Sequence, residues 1–154
     1  MSFQLKSAAF NSGKPIPERY TKNGGNVSPP LQWSDPPPEA KSLVLVVEDP
    51  DAVSGLFVHW SLYDIATDRG ELPEGIGSKT DTEDLAVAVN SFGQARYDGP
   101  RPPAGTGTHH YRFRLFALDI TSLLLAANAR AEDVRRSAEE HAIAEADLIG
   151  TSRG

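Results

Sequence analysis

The chain contains no cysteine. Disulfide frameworks, zinc ribbons, iron–sulfur sites and thiol catalysis are therefore excluded. It also lacks an excess of positive charge: 15 Lys and Arg stand against 21 Asp and Glu, a formal net charge of −6. Sequence-independent nucleic-acid binders carry a basic footprint, so nucleic acid is not an expected partner. No apolar run approaches the roughly 18 residues of a membrane span, and the mean hydropathy is −0.37. The opening Ser2-Phe3-Gln4-Leu5-Lys6 has no apolar core of the signal-peptide kind. Together these absences predict a cytoplasmic protein without integral membrane association. At 154 residues, one domain spanning 1–154 is expected. Its 13 glycines and 12 prolines suit an all-β or loop-rich fold better than a helical bundle.

Hydrophobic patterning agrees. Leu43-Val44-Leu45-Val46-Val47 is a continuous apolar, largely β-branched run, the mark of a strand buried on both faces. Val58 to Tyr63 and Leu85 to Val89 are further strand candidates, and His109 to Leu118 is the longest. That last run alternates: His109, Tyr111, Phe113 and Leu115 share one face, while His110, Arg112 and Arg114 share the other, which reads as solvated surface. Residues around Val134 and Ala138 follow an amphipathic helical pattern, and Ala142 to Leu148 then shows the period-2 pattern of a closing strand. The proline clusters at 29–38 and 100–103 block helix and central strand alike and read as rigid surface loops.

Strand order carries a functional consequence. If the strands form one antiparallel sheet, the first ends at Asp49 where the second begins near His59. The third returns to the same end at Asn90, and the fourth starts there at His109. Asp49, Asp51, His59, the Gly/Pro-rich loop 97–107, His109 and Tyr111 would then meet at one rim. Each has a bland alternative. Asp49-Pro50-Asp51 fits an Asx-turn, and either histidine alone fits a satisfied core residue. Convergence of carboxylates, histidines and a tyrosine points instead to a ligand site. The loop at 97–107 is also long for a plain hairpin connection.

Two separated blocks resemble one family. Asp49-Pro50-Asp51-Ala52 with His59-Trp60 and Tyr63-Asp64-Ile65 is similar to the first signature of the phosphatidylethanolamine-binding proteins, also called Raf kinase inhibitor-like proteins. Tyr97-Asp98-Gly99-Pro100, Pro102-Pro103, Gly105-Thr106-Gly107 and His109-His110-Tyr111 are similar to the second. Ser28-Pro29-Pro30-Leu31 and Trp33 resemble the compact bacterial and archaeal branch. The resemblance implies a mostly β, sandwich-like fold with a large antiparallel sheet, a smaller sheet and a few peripheral helices. It also implies a small pocket for phosphate, phosphorylated head groups, acetate, sulfate or similar anions. Carried over residue by residue, the ligand-binding set would be Asp49, Asp51, His59, Gly99, Pro102, His109 and Tyr111. The chain departs from the family pattern at Val53, where proline is usual, at Asp64, where asparagine is usual, and at His110, where arginine is common.

The first reading is thus a non-enzymatic anion-binding regulator with no cofactor, resembling kinase or protease inhibitors, with a kinase or protease as the possible protein partner. Asp49 or Asp51 would orient His59 or His109 so that an imidazolium faces the anion. Two readings compete: a metal-dependent hydrolase using the His/Asp rim, and an interaction module with a vestigial pocket. Compact relatives are often homodimers, and Trp33, the 29–38 loop and Phe57 offer candidate apolar surface, so a homodimer is expected.

Overall fold

The computed structural model describes residues 2–78 and 85–154. Among them the chain forms β1 (Gln4–Lys6), β2 (Lys14–Pro15), β3 (Leu31–Ser34), β4 (Ser42–Asp49), β5 (Phe57–Ile65), β6 (Glu71–Leu72), β7 (Ala86–Val87), β8 (Thr108–Leu118), α1 (Ala131–His141) and β9 (Ala142–Arg153). Short 3-10 turns lie at Glu18–Tyr20 and Ile76–Ser78. Six strands make a large sheet in the order β2-β9-β8-β4-β5-β7, and β1-β3-β6 make a smaller one. Every neighbour in the large sheet pairs antiparallel except the two-residue β2, which runs parallel to β9. This is the mostly β, two-sheet architecture that the sequence implies.

The central strand β4 is buried along its whole length. Leu43, Leu45 and Val47 face a core shared with Trp33, Trp60, Phe113 and Leu115 under the small sheet. Val44 and Val46 face a second core, where Val134 and Ala138 of α1 pack with Val58 and Phe116. Alternation along a strand sends successive side chains to opposite faces, so an unbroken apolar run is what a strand between two covering layers requires. Acidic Glu132 and Asp133 occupy the first turn of α1 and His141 the last, the arrangement its dipole favours.

Three expectations need correction. The candidate strand at 85–89 is reduced to Ala86–Val87 paired with β5, because Val89 instead bridges to Arg130 beside the start of α1. The closing strand is longer than its pattern suggested, running to Arg153 although alanine is a poor strand former. Pairing with β8 from Thr108 to Leu118 overrides that propensity, and Gly150 is needed where Ile16 and Phe10 press in: a Cβ there would stand 2.4 Å from Ile16 Cγ1. Finally, Arg114 does not lie on a solvated face. Helix α1 covers it, and its guanidinium bonds Glu48 at 2.9 Å and Glu145 at 2.9 Å.

Glu48 is 1% exposed and is held by Arg114 and Arg135 together. Removing one partner of a buried pair leaves an uncompensated charge. Arg114→Met, which keeps an apolar stem, should lower unfolding free energy by about 3 kcal/mol. Urea titration showing no shift in midpoint would contradict this reading of the second core.

Candidate functional site

The β4–β5 and β4–β8 pairings bring Asp49, the start of β5 and the start of β8 to one end of the large sheet. A cavity of about 650 Å³ opens there. Of the residues singled out from sequence, Asp49, His59, Pro102, His109 and Tyr111 line it. Asn23, Ser54, Phe57, Phe92 and Arg101 line it as well, and sequence reasoning missed them as site residues.

Asp49 does two things at once. Its Oδ1 accepts the Asp51 N–H at 2.8 Å, the Asx-turn, while Oδ2 accepts from His109 Nδ1 at 2.7 Å. Both side chains are almost completely buried. The other ring nitrogen of His109, Nε2, lies 2.9 Å from the Thr106 hydroxyl. That hydroxyl is 2.6 Å from the Pro103 carbonyl, which can only accept, so its single proton goes there. His109 Nε2 must then donate to Thr106 Oγ1. With donors on both nitrogens, His109 is an imidazolium clamped between a carboxylate and a hydroxyl. It balances the charge of Asp49 and keeps neither N–H for a ligand.

His59 is built the opposite way. Its Nδ1 donates to the Asp98 carbonyl at 2.8 Å. Phe57, Phe92 and Tyr111 surround the ring at centroid distances of 5.1, 5.4 and 5.2 Å. Burial in this aromatic box pushes its pKa below the ordinary 6.5, against the pull of the Asp98 carbonyl, the Asp49 charge and the Gly99 carbonyl. The ring is therefore neutral at pH 7, protonated on Nδ1, with an acceptor lone pair on Nε2. Tyr111 stays un-ionised, because burial and the nearby Asp49 charge raise its pKa well above the usual phenol value.

The carbonyl that fixes His59 belongs to a residue the sequence did not flag as functional. Asp98 has a fully buried side chain. Its carboxylate accepts from Lys22 at 2.9 Å, Asn26 at 3.1 Å and Asn90 at 2.9 Å, with Arg96 at 3.4 Å. Burial alone would raise its pKa; the Asn90, Lys22 and Asn26 bonds outweigh that and lower it. Four partners from two segments, 22–26 and 90–96, thus hold the residue whose carbonyl fixes His59.

Two expected site residues lie outside the lining. Asp51 points to the rim, where its carboxylate accepts the backbone N–H of His110 at 2.8 Å and His110 Nδ1 at 3.0 Å. It orients neither His59 nor His109. The Gly99 N–H donates to Asn26 Oδ1 at 2.8 Å, so it is not a spare anion donor. Glycine is needed for packing: a Cβ at 99 would stand 2.0 Å from the Tyr20 carbonyl oxygen. Nor do Trp33 and Phe57 form an outward apolar patch. Trp33 belongs to the core, and Phe57 packs edge-on against Phe92 inside the cavity.

The model of the family described as phosphatidylethanolamine-binding protein matches residues 6–153. This chain belongs to that family. A UPF0098 protein of Methanothermobacter thermautotrophicus is 45% identical over 150 residues, 97% of each chain. Among solved structures, Escherichia coli YbcL, described as a new member of the mammalian PEBP family, superposes with a TM-score of 0.93 at 29% identity, covering 98% of both chains. A phosphatidylethanolamine-binding protein homolog from Chlamydia trachomatis, CT736, gives 0.86 at 37% identity over 99% of this chain and 98% of its own. This PEBP chain has no helix among the described residues long and apolar enough to cross a membrane.

The state of His59 has a stability signature. Its folded pKa lies below the unfolded value, so below about pH 6.5 the unfolded chain takes a proton that the native ring refuses. Stability present above pH ~6.5 is lost as pH falls toward the folded pKa, by at most about 1.4 kcal/mol per unit. Urea titrations in phosphate- and sulfate-free buffer should show a fall between pH 7.5 and 5.5 that His59→Gln reduces. An identical fall in both proteins would mean that His59 charges freely in the native state.

Proposed function

We propose that this PEBP protein is a non-enzymatic binder of small anionic groups, phosphoryl or carboxylate, and that it acts as a regulator through this cavity. The observation that carries the reading is the charge balance of the wall. Asp49 is offset by His109, and His59 is neutral. Among the described residues Arg101 is the only Lys or Arg lining the cavity, and it forms no ion pair with any of them. The cavity is therefore positive by one charge in a chain of net charge −6. An oxyanion can enter, accept charge-assisted hydrogen bonds from Arg101, and meet the neutral donors Asn23 and Ser54 at the mouth.

The hydrolase alternative has less support. Among the described residues no three His, Asp or Glu side chains converge closely enough to hold a metal ion. In the cavity, His59 Nδ1 and both nitrogens of His109 are already committed to protein atoms. The vestigial-pocket alternative predicts no anion affinity. A kinase or protease as partner, a homodimer and a cytoplasmic setting remain parts of the proposal. Since Trp33 is in the core and the half-buried Phe57 packs in the cavity, a dimer face would draw on the exposed part of the 29–38 loop or on another surface.

Titration calorimetry with inorganic phosphate tests the central point. A charge-assisted hydrogen bond contributes roughly 1.5–3 kcal/mol, so Arg101→Gln should weaken binding about tenfold or more without changing thermal stability. Equal affinity in both proteins would remove Arg101 from the site, and no binding by the wild type would favour the vestigial pocket.

A further inference from the structure

If the cavity binds oxyanions, as proposed above, its hydrogen-bond pattern sets what kind of oxyanion fits. His59 Nδ1 is occupied by the Asp98 carbonyl, with the Gly99 carbonyl beside it, and no described side chain bonds Nε2. In the neutral ring Nε2 is an acceptor and repels a bare anionic oxygen. The groups facing this ring come from every surrounding element. Asp49 approaches from β4, and Tyr111 from β8. Phe92 and the carbonyls of Asp98 and Gly99 come from the 90–99 segment. The Asp98 charge behind it is already shared among Lys22, Arg96 and two asparagines. The imidazolium of His109 has no N–H to spare. The Tyr111 O–H is given to Asp49, so none of these neighbours offers the ring's side of the cavity a free donor, whereas Arg101 does from the exposed side.

We infer that the cavity takes an oxyanion that carries its own proton, a phosphate or phosphomonoester retaining one O–H, which donates to His59 Nε2 while its charged oxygens accept from Arg101. The complex holds one proton between ligand oxygen and ring nitrogen, and no covalent bond forms or breaks. A phosphoryl group brings that proton with it. Sulfate has none near neutral pH, so it must draw a proton from solution onto His59, whose burial opposes this. Sulfate affinity should then fall about tenfold for each pH unit above the ring's folded pKa. Inorganic phosphate keeps at least one O–H throughout. A simple phosphomonoester loses its last proton near pH ~6 and should change from phosphate-like to sulfate-like behaviour across that value.

The test is titration calorimetry of the intact protein with inorganic phosphate, methyl phosphate and sulfate at pH 5.5 and pH 8. The preference for phosphate over sulfate should grow at least tenfold between the two pH values. Methyl phosphate should rank with phosphate at pH 5.5 and near sulfate at pH 8. His59→Gln, whose amide can donate, should abolish the change in preference. Sulfate binding as tightly as phosphate at pH 8 would overturn the proton requirement and leave the anion-binding function standing. Failure of all three anions at both pH values would overturn both together. Methyl phosphate that follows inorganic phosphate at pH 8 would also overturn the requirement, because the ester then has no proton to give.

Discussion

One buried contact joins the two halves of the site: the bond between Asp49 at the end of β4 and His109 at the start of β8, 2.7 Å long and spanning 60 residues of sequence. Burying a lone carboxylate would cost several kcal/mol, and a buried pair is tolerable only when its remaining hydrogen-bonding groups are satisfied. Here they are. Asp49 takes the Asp51 N–H with its second oxygen, and His109 gives its second N–H to Thr106. The pair ties the β4–β5 turn to the 97–107 loop and presents a locally neutral inner wall. Everything the cavity can do with charge then depends on residues outside that pair.

His59 and Asp98 supply the second constraint. The carboxylate of Asp98 is held by Lys22, Asn26, Asn90 and Arg96, and its backbone carbonyl selects the tautomer of His59. Two histidines on neighbouring walls of one cavity thus have opposite roles. One is charged and inward-satisfied; the other is neutral with a free lone pair. Their difference comes from their partners, a carboxylate in one case and a carbonyl inside an aromatic box in the other.

Much of the frame was legible from residues alone. An unbroken Leu/Val run announced the doubly covered β4, the alternation of β8 put His109 and Tyr111 on the core side, and antiparallel strand order alone carried Asp49, His59 and His109 to one end. What escaped depends on contacts distant in sequence. Nothing local marks Asp98 as the hub for Lys22 and Asn26, which lie more than 70 positions away. Arg101 sits inside the Gly/Pro-rich loop, from which only Gly99 and Pro102 entered the expected ligand-binding set. The family resemblance places Gly99 in the ligand-binding set, but its small size serves the Tyr20 backbone. Arg114 shares a face with exposed His110, and only the docking of α1 distinguishes buried from solvated along that face.

The account stands or falls on the protonation of two rings, which can be observed directly. Long-range proton–nitrogen correlation spectra of the histidine side chains at pH 7, recorded without added anion, report each ring nitrogen separately. His109 should show both nitrogens protonated, and His59 should show a protonated Nδ1 beside a bare Nε2. A bare nitrogen on His109, or a proton on His59 Nε2, would contradict the assignment of charge on which the proposed ligand chemistry rests.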